Sequence, residues 1–142
     1  MTNTDTIEIP SGDTKEDKKR RKQIIKDFFR LWEYANPEKR VFNKSLNDFI
    51  HIRYISVDET SGQASHRYVS TLAMMFLSEI LENARQKGTH RNADQTKKNQ
   101  KGFEKIITLE YRKEFGTIKV TVGVKRGTKE KILYCITAIE NG

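Results

Sequence analysis

Hydrophobic residues near the N-terminus recur with the period of an α-helix. The apolar positions that share one helical face are Ile24, Ile25, Phe28, Phe29 and Trp32. This spacing predicts a helix over 17–36, because Asn36 precedes Pro37 and a residue before proline is disfavoured in the helical conformation. Residues 1–14 are largely polar and contain proline, serine and glycine, so we predict a disordered tail there.

The middle of the chain changes period twice. Over 48–56 the residues alternate with period two, which predicts a strand. Over 62–87 a wide apolar stripe recurs at helical spacing, and Gly88 follows it as expected at a helix C-terminus, so we predict one long helix. The segment 88–102 has no period and is strongly basic, which predicts a long exposed loop.

Three further strands are predicted over 105–113, 117–126 and 131–139. The turns between them are short, polar and contain glycine, so neighbouring strands should pair antiparallel. Helices followed by such a meander predict an α+β fold. We expect one domain over 15–142, with the N-terminal helices packed on one face of a mainly antiparallel sheet of about four strands.

The middle strand of this meander raises a chemical question. Its apolar residues, Ile118, Val120, Val122 and Val124, alternate with polar ones and should pack on the helices. Lys119 and Thr121 would then emerge on the opposite, open face. That face is either an ordinary solvated surface or the floor of a site that holds phosphate.

Charge favours a polyanionic partner. The chain has 27 Lys+Arg against 19 Asp+Glu, a net charge of +8, which indicates nucleic acid, with RNA favoured. The single cysteine, Cys135, is typical of a reducing compartment. Because neither a secretory signal nor about 18 consecutive apolar residues occur, we expect a cytoplasmic protein without a membrane partner.

Basic residues cluster at the start of the first helix and in the loop, and another lies at the end of the middle strand. The candidate nucleic-acid-binding residues are Lys18, Lys19, Arg20, Arg21, Lys22, Arg91, Lys97, Lys98, Lys101 and Lys125. Cations at a helix N-terminus oppose the helix dipole, so helix stability does not explain the first cluster. Such clusters bind phosphates through counterion release, and the alternative is a charged, solvated surface.

An open sheet face with lysine, threonine, arginine and histidine side chains is compatible with RNA cleavage without a metal, and the alternative is an exposed polar face. In such cleavage a 2′-hydroxyl attacks the adjacent phosphorus, one group moves a proton and cations hold the developing charge. The candidate catalytic residues are His66, Arg67, Lys119, Thr137, His51 and Arg53. The sequence leaves open whether His66 or His51 moves the proton. The three histidines are dispersed, and no phosphate-binding glycine loop or dinucleotide fingerprint occurs, so we expect no metal and no cofactor.

Four segments carry a resemblance to a known family: ASHRYVSTLAMMFLSEILENA, NQKGFEKI, GTIKVTVGVKR and YCITAI. Over 48–139 the chain resembles the small barnase–EndoU–colicin–RelE-like nuclease domains (the BECR fold) of phages and conjugative elements. The resemblance implies metal-independent ribonuclease activity in a toxin or effector, with site residues at His66 or Arg67, Lys119 and Thr137. It also implies a protein partner such as a neutralising antitoxin. The alternative is a non-catalytic accessory or inhibitor protein of a mobile element that binds nucleic acid or protein.

Overall fold

The computed structural model describes residues 8–91 and 102–141. The helices in these ranges are α1 (Lys15–Ala35), α2 (Tyr54–Ala64), α3 (Tyr68–Met74) and α4 (Leu77–Asn83). The strands are β1 (Arg40–Asn43), β2 (Asp48–His51), β3 (Arg85–Arg91), β4 (Phe103–Lys113), β5 (Gly116–Lys125) and β6 (Lys131–Ile139). None of these helices combines the length and the apolar character that a membrane crossing requires.

The strands of the described ranges form one sheet in the order β1-β2-β6-β5-β4-β3. The predicted C-terminal meander is present, because β4 pairs antiparallel with β5 and β5 pairs antiparallel with β6. β2 joins β6 in parallel through the single pair His51 and Ile132, which makes the sheet mixed. The α+β fold with a C-terminal meander is confirmed, although the sheet has six strands within 8–91 and 102–141 instead of about four.

The helices cover one face of this sheet. Ile118, Val120 and Val122 of β5 are fully buried, and they belong to one core with Phe29 of α1 and Leu77 of α4. Burying each such side chain contributes about 1.5–3 kcal/mol. Because side chains alternate along a strand, the residues between these valines lie on the other face.

The N-terminal segment differs from the predicted tail over residues 8–14. Thr14 caps α1 through its hydroxyl, which accepts a hydrogen bond from the Asp17 N–H at 3.0 Å. The carbonyls of Pro10 and Gly12 accept hydrogen bonds from Arg21 Nη1 at 2.8 and 2.7 Å. These bonds hold the segment against α1, while residues 1–7 lie outside the described ranges.

The predicted helix over 62–87 is divided among four elements. Residues 62–64 end α2, α3 and α4 follow, and residues 85–87 begin β3. Between α3 and α4 the N–H groups of Met75 and Phe76 bond to carbonyls three residues earlier, which tightens the last turn. The interruption directs Phe76 towards Phe115, and their ring centroids are 5.8 Å apart.

The predicted strand over 48–56 ends early, at His51 of β2, and α2 begins at Tyr54. The hydroxyl of Ser56 accepts a hydrogen bond from the Arg53 N–H at 3.0 Å and donates one to the Leu133 carbonyl. Ser70 of α3 exchanges similar bonds with the backbone of Ala138. Serine hydroxyls thus bind part of the β6 edge, which β2 pairs at only one residue.

The predicted loop over 88–102 contains strand at its start. β3 is an antiparallel edge strand on β4, and each of its residues is exposed, so no apolar alternation marks it. β1, which pairs antiparallel with β2 at the other end of the sheet, was not predicted at all. Residues 92–101 of the predicted loop lie outside the described ranges.

The face of the sheet away from the main core has a small apolar cluster of its own. The ring of Phe103 lies over Gly123, and it packs edge-to-face on Tyr134 with centroids 6.2 Å apart. Ile106 and Ile132 are buried in the same cluster. This cluster closes one end of the otherwise open face.

We expect Gly123→Ala to lower the free energy of unfolding by about 1–3 kcal/mol. A Cβ at this position would lie 2.4 Å from Cδ2 of Phe103, so the ring would have to leave its packed place. Chemical denaturation measures the loss. The matched control is Gly62→Ala in α2, where a Cβ meets nothing within 4 Å and alanine should be neutral or stabilising. Equal losses in the two variants would contradict this explanation.

Candidate functional site

The open face of β4, β5 and β6 contains a cavity of about 340 Å³, here called the central cavity. Its lining residues are Gln63, His90, Ile106, Thr108, Lys119, Thr121, Tyr134, Cys135 and Thr137. Among the described residues, no aspartate or glutamate lines it. A lysine beside three threonine hydroxyls, without a carboxylate, makes the cavity favourable for an anion.

Strand register explains why these side chains share one floor. Lys119 lies directly opposite Thr137 on β6, and Thr121 lies opposite both Thr108 on β4 and Cys135 on β6. Paired residues of an antiparallel sheet point to the same side, and opposite Cβ atoms are about 4.5–5.5 Å apart. One ammonium and three hydroxyls therefore lie within a patch three strands wide.

Lys119 keeps its charge available. Its side chain is exposed and makes no hydrogen bond or ion pair with any other residue that the structure describes. Glu110 lies opposite Lys119 on β4, but its carboxylate pairs with Lys87, with 3.8 Å between Nζ and Oε1. The ammonium of Lys119 is therefore free to bind a ligand.

Cys135 adds no charge to the cavity. Burial raises the pKa of its thiol to about 12, so the group is neutral near pH 7 and is a poor nucleophile. No cluster of three or more His, Cys, Asp or Glu side chains that could hold a metal occurs within 8–91 and 102–141. Cys135 is best described as part of the wall of the cavity.

Two further cavities adjoin the central one. A cavity of about 260 Å³ shares Thr108, Lys119 and Thr137 with it, and a cavity of about 490 Å³ shares His90. The second of these is also lined by three cations, Arg91, Lys105 and Arg126, and by Glu104, whose carboxylate pairs with Lys129. We call the three adjoining cavities the open-face groove, and the second of them the basic end of the groove.

His90 is the histidine that the structure places in this groove. It lies on β3 opposite Ile106, which in turn lies opposite Gly123. Lys119 is four residues from Gly123 on β5. Measured along the strand direction, the Cα atoms of His90 and Lys119 are therefore about 13 Å apart. That separation suits two different phosphates of one strand better than a single phosphorus. Sequence analysis did not select His90, because the exposed edge strand that carries it has no apolar pattern.

His66 and Arg67 lie elsewhere, at the junction of α2 and α3. Both are exposed, and neither lines the open-face groove. The carbonyl of His66 accepts a hydrogen bond from Arg21 Nη2 at 3.4 Å, and Arg67 precedes the first residue of α3. The structure brings Lys119 and Thr137 together but does not bring His66 or Arg67 to them.

His51 and Arg53 form a separate ionic cluster where β2 meets β6. Glu130 lies 2.9 Å from Arg53 Nη2 and 3.8 Å from His51 Nε2. Burial lowers the pKa of His51 despite the nearby carboxylate of Glu130. His51 and Arg53 therefore both contact Glu130 just before the start of β6, and neither lines the groove.

The candidate nucleic-acid contacts are dispersed in the fold. Arg91 lines the basic end of the groove, and Lys125 is exposed at the end of β5. On α1, Lys18 is half-buried and Lys19, Arg20 and Lys22 are exposed. Lys97, Lys98 and Lys101 lie outside the described ranges.

Arg21 must be removed from this set. Its side chain is 0% exposed, and backbone carbonyls accept all of its hydrogen bonds. A guanidinium enclosed in this way cannot reach a phosphate on the surface. Its position on α1 explains the burial, because it precedes Ile24 and Ile25 by three and four residues on the same helical face.

Comparison with protein-family models, with curated proteins and with solved structures finds no significant match for this chain. The resemblance to small nuclease domains therefore stays a prediction.

Proposed function

We propose that this chain is an RNA-acting protein of a phage or mobile element that binds RNA in the open-face groove. The observation that supports this most directly is Lys119, an exposed and unpaired ammonium in a cavity that no carboxylate of the described residues lines. Lysine and threonine side chains are common phosphate ligands in nucleic-acid complexes. A phosphate against Lys119 would have hydroxyls of Thr121 and Thr137 within the same cavity.

The dimensions of the groove suit a strand with several phosphates. Lys125, the exposed last residue of β5, is six residues from Lys119 and therefore lies on the same face of the strand. Six residues of strand span about 20 Å. Cations at both ends, with the Thr121 hydroxyl between them, therefore follow one line along the open face.

Hydroxyl groups on the floor favour RNA over DNA. Thr108, Thr121 and Thr137 can each donate and accept a hydrogen bond. The 2′-hydroxyl of ribose is also both donor and acceptor, and it is the group by which proteins distinguish RNA from DNA. Threonine methyl groups alone would give no such preference.

The second candidate function is metal-independent RNA cleavage, and His90 is the observation that favours it. His90 lines the same cavity as Lys119. A neutral imidazole can accept the proton of a 2′-hydroxyl while a cation that lines the adjoining cavity with His90, such as Arg126, stabilises the charge that develops on the phosphate. In this arrangement His90 takes the role that the sequence had offered to His66 or His51.

We expect Lys119→Ala to weaken RNA binding about tenfold and to reduce the slope of log affinity against log salt by about 0.7. The change removes one phosphate contact and the counterion that this contact releases. Fluorescence anisotropy of a labelled single-stranded RNA, titrated at several salt concentrations, measures both quantities. The matched control is Lys26→Ala, an exposed lysine on α1 outside the groove. An equal loss of RNA affinity in both variants would show that RNA does not bind specifically in the groove.

Cleavage has its own test on unmodified RNA with and without EDTA. If the protein is a ribonuclease of the proposed kind, products form in both conditions and carry 2′,3′-cyclic phosphate ends. His90→Ala should then abolish cleavage while binding is largely kept. If RNA binds in the groove but stays intact, the protein binds RNA without cleaving it, as expected of a non-catalytic accessory protein.

A further inference from the structure

One corner of the open face has a cavity beyond the groove. β4 extends past the first residue of β3, because Arg85 lies opposite Glu110 and no β3 residue pairs with Tyr111 or Arg112. A cavity of about 670 Å³ occupies this corner. It shares Lys87 and Glu110 with the 260 Å³ cavity of the open-face groove, so the corner continues the groove.

Both carboxylates of the corner already have partners. Glu79 accepts hydrogen bonds from the Tyr111 hydroxyl at 2.5 Å and from Lys113 Nζ at 2.9 Å. The bond from Tyr111, and next that from Lys113, lower the pKa of Glu79 and keep it ionised near pH 7. Glu110 pairs with Lys87. Neither acid is therefore bound to an arginine.

Two guanidinium groups remain available. Arg85 and Arg112 are exposed, and their guanidinium groups make no hydrogen bond or ion pair with other residues of the described ranges. Since Arg85 lies opposite Glu110, Arg112 is its diagonal neighbour on the same face, about 7–8 Å away. Two long side chains at this spacing can reach one ligand in the cavity that both of them line.

The charge of the corner matches a dianion. Four cations, Arg85, Lys87, Arg112 and Lys113, face two carboxylates, Glu79 and Glu110, which leaves two positive charges. A phosphomonoester has a second pKa near 6 and carries about −1.5 to −2 at pH 7, whereas a bridging phosphodiester carries only one negative charge. Two arginine forks can also bond several oxygens of one phosphate at once.

We propose that Arg85 and Arg112 bind a terminal phosphate of the RNA strand that lies in the open-face groove. This inference rests on the proposed function, because it takes the strand in the groove as given. The corner would hold the end of that strand, and Lys119 would hold an internal phosphate. The protein would then prefer RNA ends that carry a phosphate over ends that carry a hydroxyl.

The test uses three labelled 2′-O-methyl oligoribonucleotides of one sequence, with a 5′-phosphate, a 3′-phosphate or no terminal phosphate. The 2′-O-methyl groups prevent cleavage, because they block attack on the phosphorus. We expect a phosphate at one of the two ends to tighten binding about tenfold. Arg85→Ala and Arg112→Ala should remove this gain, whereas Arg30→Ala, at an exposed arginine of α1 outside the groove, should keep it.

Inorganic phosphate distinguishes the source of the gain. At saturating concentration and fixed ionic strength it should abolish the advantage of the phosphorylated oligonucleotide and leave the unphosphorylated one bound. The inference is overturned if all three oligonucleotides bind alike, or if the gain persists in both arginine variants. Such a result, together with Lys119-dependent binding, would leave the proposed function standing. If the 2′-O-methyl oligonucleotides do not bind, the same comparison is made with unmodified RNA, and if that RNA does not bind either, both proposals fail.

Discussion

Arg21→Ala is expected to lower the free energy of unfolding by roughly 3 kcal/mol or more. The guanidinium is completely buried, and it donates to Ser65 O at 2.8 Å, Pro10 O at 2.8 Å and Gly12 O at 2.7 Å. Each hydrogen bond to a charged group is worth about 1.5–3 kcal/mol, and an unpaired buried carbonyl has a cost of similar size. The substitution also leaves a cavity, because a long side chain becomes a methyl group.

Urea denaturation measures this loss, and Arg20→Ala provides the control. Arg20 is the exposed neighbour on α1, so its removal should change stability by no more than about 0.5 kcal/mol. Arg21→Lys should recover little, because one ammonium cannot reproduce a planar fork that bonds carbonyls from separate segments. A destabilisation of Arg21→Ala no larger than that of Arg20→Ala would show that the buried network contributes nothing.

Arg21 also shows how the sequence can be misread. The residue type placed it with its basic neighbours, and the prediction followed charge. Its spacing from Ile24 and Ile25 carried the better signal, because those positions define the buried face of α1. An arginine that shares a helical face with apolar residues is therefore better interpreted as a buried structural residue whose guanidinium bonds to carbonyls.

The hydrophobic pattern of the sequence was sufficient to predict the meander, but it was not sufficient to predict α2. β5 has period two and short turns on both sides, so its pairing with β4 and β6 follows from the sequence. α2 contains several β-branched residues and a glycine, and it is held against β6 by buried groups such as Ser56, whose hydroxyl donates a hydrogen bond to the Leu133 carbonyl. Contacts with distant residues thus override weak local preference, and no window of sequence contains them.

The candidate site divides in the same way. Lys119 and Thr137 could be placed side by side, because both lie on strands whose register the alternation defines. His90, Arg85 and Arg112 could not be assembled, because β3 has no apolar face and forms by pairing with the edge of β4. The groups that gather at the edge of a sheet depend on this pairing, which only the folded chain reveals.

Asn43→Ala is expected to cost about 2–4 kcal/mol, the second-largest effect on stability. Asn43 is fully buried at the end of β1, and its amide donates to Leu81 O at 2.7 Å and Ala84 O at 2.9 Å. Its side-chain oxygen accepts a hydrogen bond from the Leu46 N–H at 2.7 Å. Alanine would leave two carbonyls and one N–H without these partners.

The position of Asn43 also links stability to the proposed phosphate corner. Its two carbonyl partners are at the C-terminus of α4, directly before Arg85. In the folded fraction of Asn43→Ala, the start of β3 should therefore be less well held, and the gain from a terminal phosphate should fall. Denaturation and the oligonucleotide titration measure the two effects separately.

The control for the stability loss is Lys44→Ala, which removes only exposed contacts with Glu82 and Asn83 and should cost less than about 1 kcal/mol. Equal losses of stability for Asn43→Ala and Lys44→Ala would show that the buried amide does not fix this junction.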